Sequence, residues 1–102
     1  LNIELIWTEP TLSDLDEIAD YIALDDPLAA AALVRRVFEH VEQLAGHPES
    51  GSVPRELRPG HVYRQIVEPS WRVFYRFADD QKVYIVHVMR GEQPFHRKKL
   101  TR

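Results

Sequence analysis

Four arginines lie inside strand-like text: Arg64 in HVYRQIVE, Arg72 and Arg76 in WRVFYRF, and Arg90 in KVYIVHVMR. A guanidinium stays charged and presents a planar fork of donors, so its chemistry is recognition of carboxylate or phosphate, not proton transfer. Side chains alternate across a strand, which puts Arg72, Phe74 and Arg76 on one face and Trp71, Val73, Tyr75 and Phe77 on the other. The next strand sets Tyr84, Val86, Val88 and Arg90 on one side and Val83, Ile85, His87 and Met89 on the other. Whether Arg72 meets Arg90 depends on the turn between them. A three-residue loop over 80–82 places the two arginines opposite each other, whereas a two-residue loop pairs Arg72 with Met89. The first register is favoured because it groups Tyr75 and Phe77 with Ile85 and His87, and Phe74 and Arg76 with Val86 and Tyr84. It leaves cations among aromatic and aliphatic residues on the face away from the helices, which is costly unless an anionic group neutralises them. An acidic partner segment or a phosphate is the expected anion. The internal alternative pairs Arg72 with Glu68 or Asp79, and Arg76 with the turn carboxylates.

Other chemistry finds little support. The five histidines (His40, His47, His61, His87 and His96) lack metal-ligand spacing, and there is no cysteine to complete a site or form a disulfide. No metal or cofactor is expected. Ser50 and Ser52 flank Gly51 outside the strand-to-helix setting of a nucleophile elbow and read as a turn. None of the four glycines opens a helix as a phosphate loop would. Asp14, Asp16, Glu17 and Asp20 are spaced along an amphipathic helix and read as its solvated face.

The elements that carry the arginines can be placed by pattern. Residues 2–7 form a short apolar run, either a strand that adds to the sheet at an edge or an apolar lead-in to a helix, and Thr8 and Pro10 then suit the start of a helix over 9–24. Leu12, Leu15, Ile18, Ala19 and Ile22 mark its apolar face. Asp26 and Pro27 open a second helix carrying Ala30, Val34, Val37, Val41 and Leu44, with Gly46 as its stop. So short a turn makes the helices an antiparallel hairpin. A Pro- and Gly-rich loop follows, and then the three strands of an antiparallel meander. The expected class is α+β, with both helices on one face of the sheet. One domain covers 1–95, and 96–102 is a basic tail that has lost periodicity and is mobile unless bound.

Net charge is only −3, yet residues 1–50 hold two cations against eleven carboxylates, and 51–102 hold eleven cations against five. Such segregation creates a field that orients charged partners, or simply draws the two halves together. No apolar run reaches the roughly 18 residues of a spanning helix, and the N-terminal text has no basic flank or cleavage site of a signal peptide. A soluble, cytoplasmic protein with no membrane partner is expected.

With the order strand, helix hairpin, meander in place, the motifs LRPGHVYRQIV, WRVFYRF and VHVMRG resemble the RelE/ParE toxins of bacterial type II toxin–antitoxin systems. The resemblance spans residues 3–95. It implies a small toxin forming a hetero-oligomer with an antitoxin encoded beside it, whose extended C-terminal segment wraps the toxin. The superfamily holds two mechanisms. RelE-like members cut mRNA on the ribosome with lysines and arginines of the sheet and a late tyrosine or histidine. Arg72 matches the family's central arginine and Arg90 lies near a second. However, Arg64 is the only lysine or arginine between Gly60 and Trp71, no tyrosine follows Tyr84, and His96, which can stand in as a late acid or base, lies in the tail. A metal-free ribonuclease needs cations for the phosphorane charge and placed acid–base groups, and an acidic chain is poorly drawn to RNA. The resemblance therefore points to the ParE branch: a DNA gyrase inhibitor with no catalysis of its own and a ParD-like antitoxin. No direct sequence-specific contact with nucleic acid is expected. Arg64, Arg72, Arg76 and Arg90, with Phe95 and Arg97 of the tail, are the expected binding residues for target or antitoxin.

Overall fold

The computed structural model describes residues 3–57, 62–78 and 80–101. Strand β1 (Glu4–Trp7) leads into helix α1 (Glu9–Ala23) and helix α2 (Pro27–Glu42), and β2 (Tyr63–Glu68), β3 (Trp71–Ala78) and β4 (Lys82–Arg90) complete the chain's sheet. The strand order is β1-β4-β3-β2, with β1 parallel to β4 and the other neighbours antiparallel. This is the α+β fold that the patterning predicts, with β1 at an edge. Asn2 and Asp79, and residues 58–61 of the loop motif, lie outside the described residues.

The helix boundaries follow from local chemistry. Asp26 accepts a hydrogen bond from the Ala29 N–H at 3.0 Å, and Pro27 fills the first helical position, where a missing N–H costs nothing. Gly46 stands after a 3₁₀ turn over Gln43–Ala45 with φ −97°, so its left-handed freedom is not used. Thr8 occupies the N-cap of α1 but makes no side-chain cap. Its hydroxyl instead donates to the Ile85 carbonyl at 2.8 Å, as does that of buried Thr11 at 2.7 Å. The first turn of α1 is thereby fastened to β4.

Two clusters of buried side chains lie on opposite faces of the sheet. The larger joins Leu15, Ile18, Leu33, Val37, Val41 and Leu44 of the helical region to Trp71, Val73, Tyr75, Val83, Ile85 and Val88 of the sheet. The smaller joins Phe74, Val86 and Met89 to Leu57 and Leu100, with Tyr63, Tyr84 and Phe95 packed around it. The expected loose tail is thus folded back. Residues Arg97–Thr101 form a 3₁₀ turn, and Leu100 is 2% exposed.

The register of the meander differs from the sequence expectation. Ala78 pairs with Lys82 and Tyr75 with Ile85, but Phe74 pairs with His87, so β4 carries one extra residue at Val86. Such a bulge reverses the alternation beyond it. Tyr84 and Val86 face the smaller cluster, whereas Val88 joins the larger one. Arg72 consequently lies opposite Met89, and Arg90 opposite Trp71. The predicted meeting of Arg72 with Arg90 does not occur, because a period-two reading carries no information about an inserted residue.

Candidate functional site

The bulge and the strand register divide the four sheet arginines between the two faces. Arg76 pairs with Tyr63 and Arg72 with Val67, which keeps both on the face away from the helices. Arg64 pairs with Tyr75, whose side chain belongs to the helical core, and Arg90 pairs with Trp71. Arg64 and Arg90 therefore start from the helical face. The expectation of one cationic face is corrected: it is a pair of arginines on each side.

Arg72 is the most constrained of them. Its two η nitrogens donate to the two Glu56 carboxylate oxygens at 2.8 and 2.9 Å, and its Nε donates to Gln65 Oε1 at 3.0 Å. Its guanidinium carbon stands 4.7 Å from the Phe74 ring centre and 5.7 Å from that of Phe95, with the side chain only 15% exposed. The fork is thus held in plane by a carboxylate and an amide, and flanked by aromatic rings. The same hydrogen bond from Arg72 holds the Glu56 carboxyl below its ordinary pKa, against the opposing effect of burial. Glu68 is not the partner expected from sequence, and Asp79 lies outside the described residues; Glu56, from the loop ahead of β2, pairs with Arg72.

The others have their own settings. Arg64 donates to the Gly51 carbonyl at 2.9 Å and the Glu49 carbonyl at 3.3 Å, with the Glu49 carboxylate 3.8 Å away, so it ties the loop to β2. Tyr75 works in the same place: its hydroxyl accepts the Gly51 N–H at 2.9 Å, and burial pushes that phenol above its ordinary pKa. Arg90 bonds Glu92 and lies 4.1 Å from the centre of the Tyr21 ring on α1. Arg76 stacks on Tyr84 at 4.2 Å and has no carboxylate partner among the described residues. Phe95 lies 5.2 Å from Phe74, beside Arg72, while Arg97 is exposed on the C-terminal turn. The structure therefore brings Arg72 and Phe95 together and leaves Arg64 and Arg90 elsewhere.

One pair was missed by sequence reasoning. Asp14, expected on a solvated face, is 8% exposed, and one of its oxygens lies 2.7 Å from His87 Nδ1 and 3.3 Å from the Val88 N–H. The same Asp14 oxygen thus accepts the Val88 amide hydrogen and lies within hydrogen-bond distance of the imidazole. The signal lay in the spacing: Asp14 falls three residues after Thr11 and four before Ile18, on the buried stripe itself.

The sequence profile described as "ParE toxin of type II toxin-antitoxin system, parDE" matches residues 5–95. The chain belongs to the ParE toxin family. It is 40% identical over 91 residues to Y4kP of Sinorhizobium fredii, covering 85% of this chain and 86% of that protein. It is 32% identical over 87 residues to toxin RelE2 of Caulobacter vibrioides, with 85% and 90% covered. Among solved structures, the chromosomal ParDE toxin–antitoxin system of P. aeruginosa superposes with TM-score 0.69 at 26% identity, covering 88% of this chain and 97% of that one. This ParE-family chain is thus a type II toxin of the wider RelE/ParE group. Among its described residues no helix is long and apolar enough to cross a membrane.

Proposed function

We propose that this toxin acts in the cytoplasm by inhibiting DNA gyrase without making or breaking a covalent bond itself, and that a ParD-like antitoxin neutralises it in a hetero-oligomer. The observation that carries this reading is the engagement of Arg72. An arginine that stabilises a phosphorane must offer its donors to the reacting phosphate, and here Nε and both η nitrogens are already held by Glu56 and Gln65. The family profile and the likeness to the P. aeruginosa ParDE system support the same branch. In this reading Arg76, Phe95 and Arg97 meet an acidic protein surface, Arg72 is held by Glu56 and Gln65 as part of the face that carries them, and Arg64 and Arg90 hold the loop and the end of β4 in place.

The likeness to toxin RelE2 favours a second reading, an mRNA endonuclease working on the ribosome. Purified toxin added to gyrase and relaxed plasmid separates the two. Loss of supercoiling with accumulation of cleaved DNA, and intact transcripts in a ribosome-containing translation reaction, is the expected result. Cut mRNA with gyrase left active would overturn the proposal. No effect on either, with no growth arrest on expression without antitoxin, would make the chain an inactive homologue that only binds its antitoxin.

A further inference from the structure

A cleft of about 400 Å³ opens between α1, the end of β4 and the C-terminal segment, away from the Arg72–Glu56 pair. Its floor is formed by Ile18, Val88 and Met89 and carries the Asp14–His87 pair, which links α1 to β4 across it. Tyr21 stands at the mouth, 56% exposed. Besides His87, three cationic or protonatable groups line the cleft from two elements: Arg90 from β4, and His96 and Lys99 from the C-terminal segment. Of the two lining carboxylates, Asp14 is already engaged by His87 and the Val88 amide, which leaves Glu17. Arg90 shares its charge with Glu92, whereas His96 and Lys99 have no ion pair among the described residues. Exposed Arg97 and Lys98 flank them and add to the positive field at the mouth.

This combination has a chemical meaning. A cavity of this volume suits a small ligand or one extruded group better than a protein helix. Cationic groups mounted on separate elements can meet the several oxygens of a tetrahedral phosphate from different directions, whereas a planar carboxylate is served by one fork. A half-exposed aromatic ring beside them offers the flat surface on which a base stacks. We propose that the cleft binds the phosphate of a nucleotide-sized ligand, with Lys99, His96 and Arg90 at the phosphate and Tyr21 against the base. The ligand is a free nucleotide or one nucleotide of a single strand, held without regard to sequence. The Asp14–His87 pair is a positioning element that keeps α1 and β4 at the spacing the ligand needs. The site is independent of the gyrase reading, since neither Arg72 nor Arg76 lines it.

The test uses the full chain, isotopically labelled, titrated with inorganic phosphate, adenosine monophosphate and a short single-stranded DNA oligonucleotide in separate arms. Saturable resonance shifts at Tyr21, Val88 and Lys99 are expected in at least one arm, and the tightest arm identifies the source of the phosphate. K99E should weaken binding by about tenfold or more, and K98E, just outside the cleft, by less than about threefold. Y21A should weaken the nucleotide but not inorganic phosphate. Equal losses in K98E and K99E would show unspecific charge attraction. Equal losses of both ligands in Y21A, shifts confined to the Arg72 and Phe95 face, or no saturation in any arm would each overturn the proposal.

Discussion

On the helical side of the sheet, Trp71, Val73 and Tyr75 are sealed beneath helices of 15 and 16 residues. On the other side Phe74, Val86 and Met89 are sealed only by Leu57, Leu100 and the half-buried rings of Tyr63, Tyr84 and Phe95. Each face also carries two arginines, but they are used differently. Arg64 and Arg90 tie loops to strand ends, whereas Arg72 lies within the small cluster's aromatic border. A thick cover supplies stability, because buried area scales with the helices that provide it. A thin cover of one loop and one turn supplies a surface that a partner can reorganise at small cost. The binding chemistry proposed for Arg76 and Phe95 sits on the thin side for that reason.

The contrast can be broken from either face. Trp71→Ala removes the largest fully buried side chain of the helical core and should destabilise the fold by about 3–5 kcal/mol in a denaturant melt. Leu100→Ala, on the thin face, should cost about 2 kcal/mol, the low end for a buried leucine, because its neighbours can settle inward. If the Leu100 variant loses as much as the Trp71 variant, the two covers are equally structural and the contrast fails. Gly51→Ala sharpens it at the edge of the thick side. A Cβ there would stand 2.6 Å from both the Gln65 carbonyl and the Tyr75 hydroxyl, so a loss of about 1–2 kcal/mol is expected, together with loosening of the loop that Arg64 holds.

Glu56→Gln probes the thin side's electrostatics and should cost at most about 1 kcal/mol near neutral pH, since the pair is part-exposed. The sign with pH is fixed. Arg72 lowers the folded-state pKa of Glu56, so its contribution is fully present above the unfolded carboxylate value, about 4.3, and is lost as pH falls through the lowered folded value. The stability gap between wild type and this variant should therefore close as pH falls below about 4.3; a gap that stays constant on acidification would mean the charge of Glu56 is not what holds Arg72. The smallest effect is expected at the hairpin turn. Gln81 has φ 62°, a conformation that glycine adopts without Cβ strain, and Gln81→Gly should raise stability by a few tenths of a kcal/mol at most, roughly, after glycine's larger chain entropy is subtracted.

Much of the fold was legible because each element is specified by neighbours in sequence. The apolar spacing from Leu15 to Ile22, the Asp26–Pro27 start and the alternation of β3 state local periods that packing does not override. The site was only partly legible. Arg72 was found as the central arginine, but its partner Glu56 lies 16 residues away in an aperiodic loop, and no spacing rule connects the two. Asp14 and His87 are 73 residues apart, and nothing local marks them as partners.

What the sequence determined by itself was which segments are helix or strand and which residue types they bring. The tertiary structure alone decided which side each side chain faces beyond Val86 and which charges are already matched. The physical reason is the bulge: one extra residue in β4 turns Val88 and Arg90 to the opposite face, and only the paired strand reveals that the residue is extra.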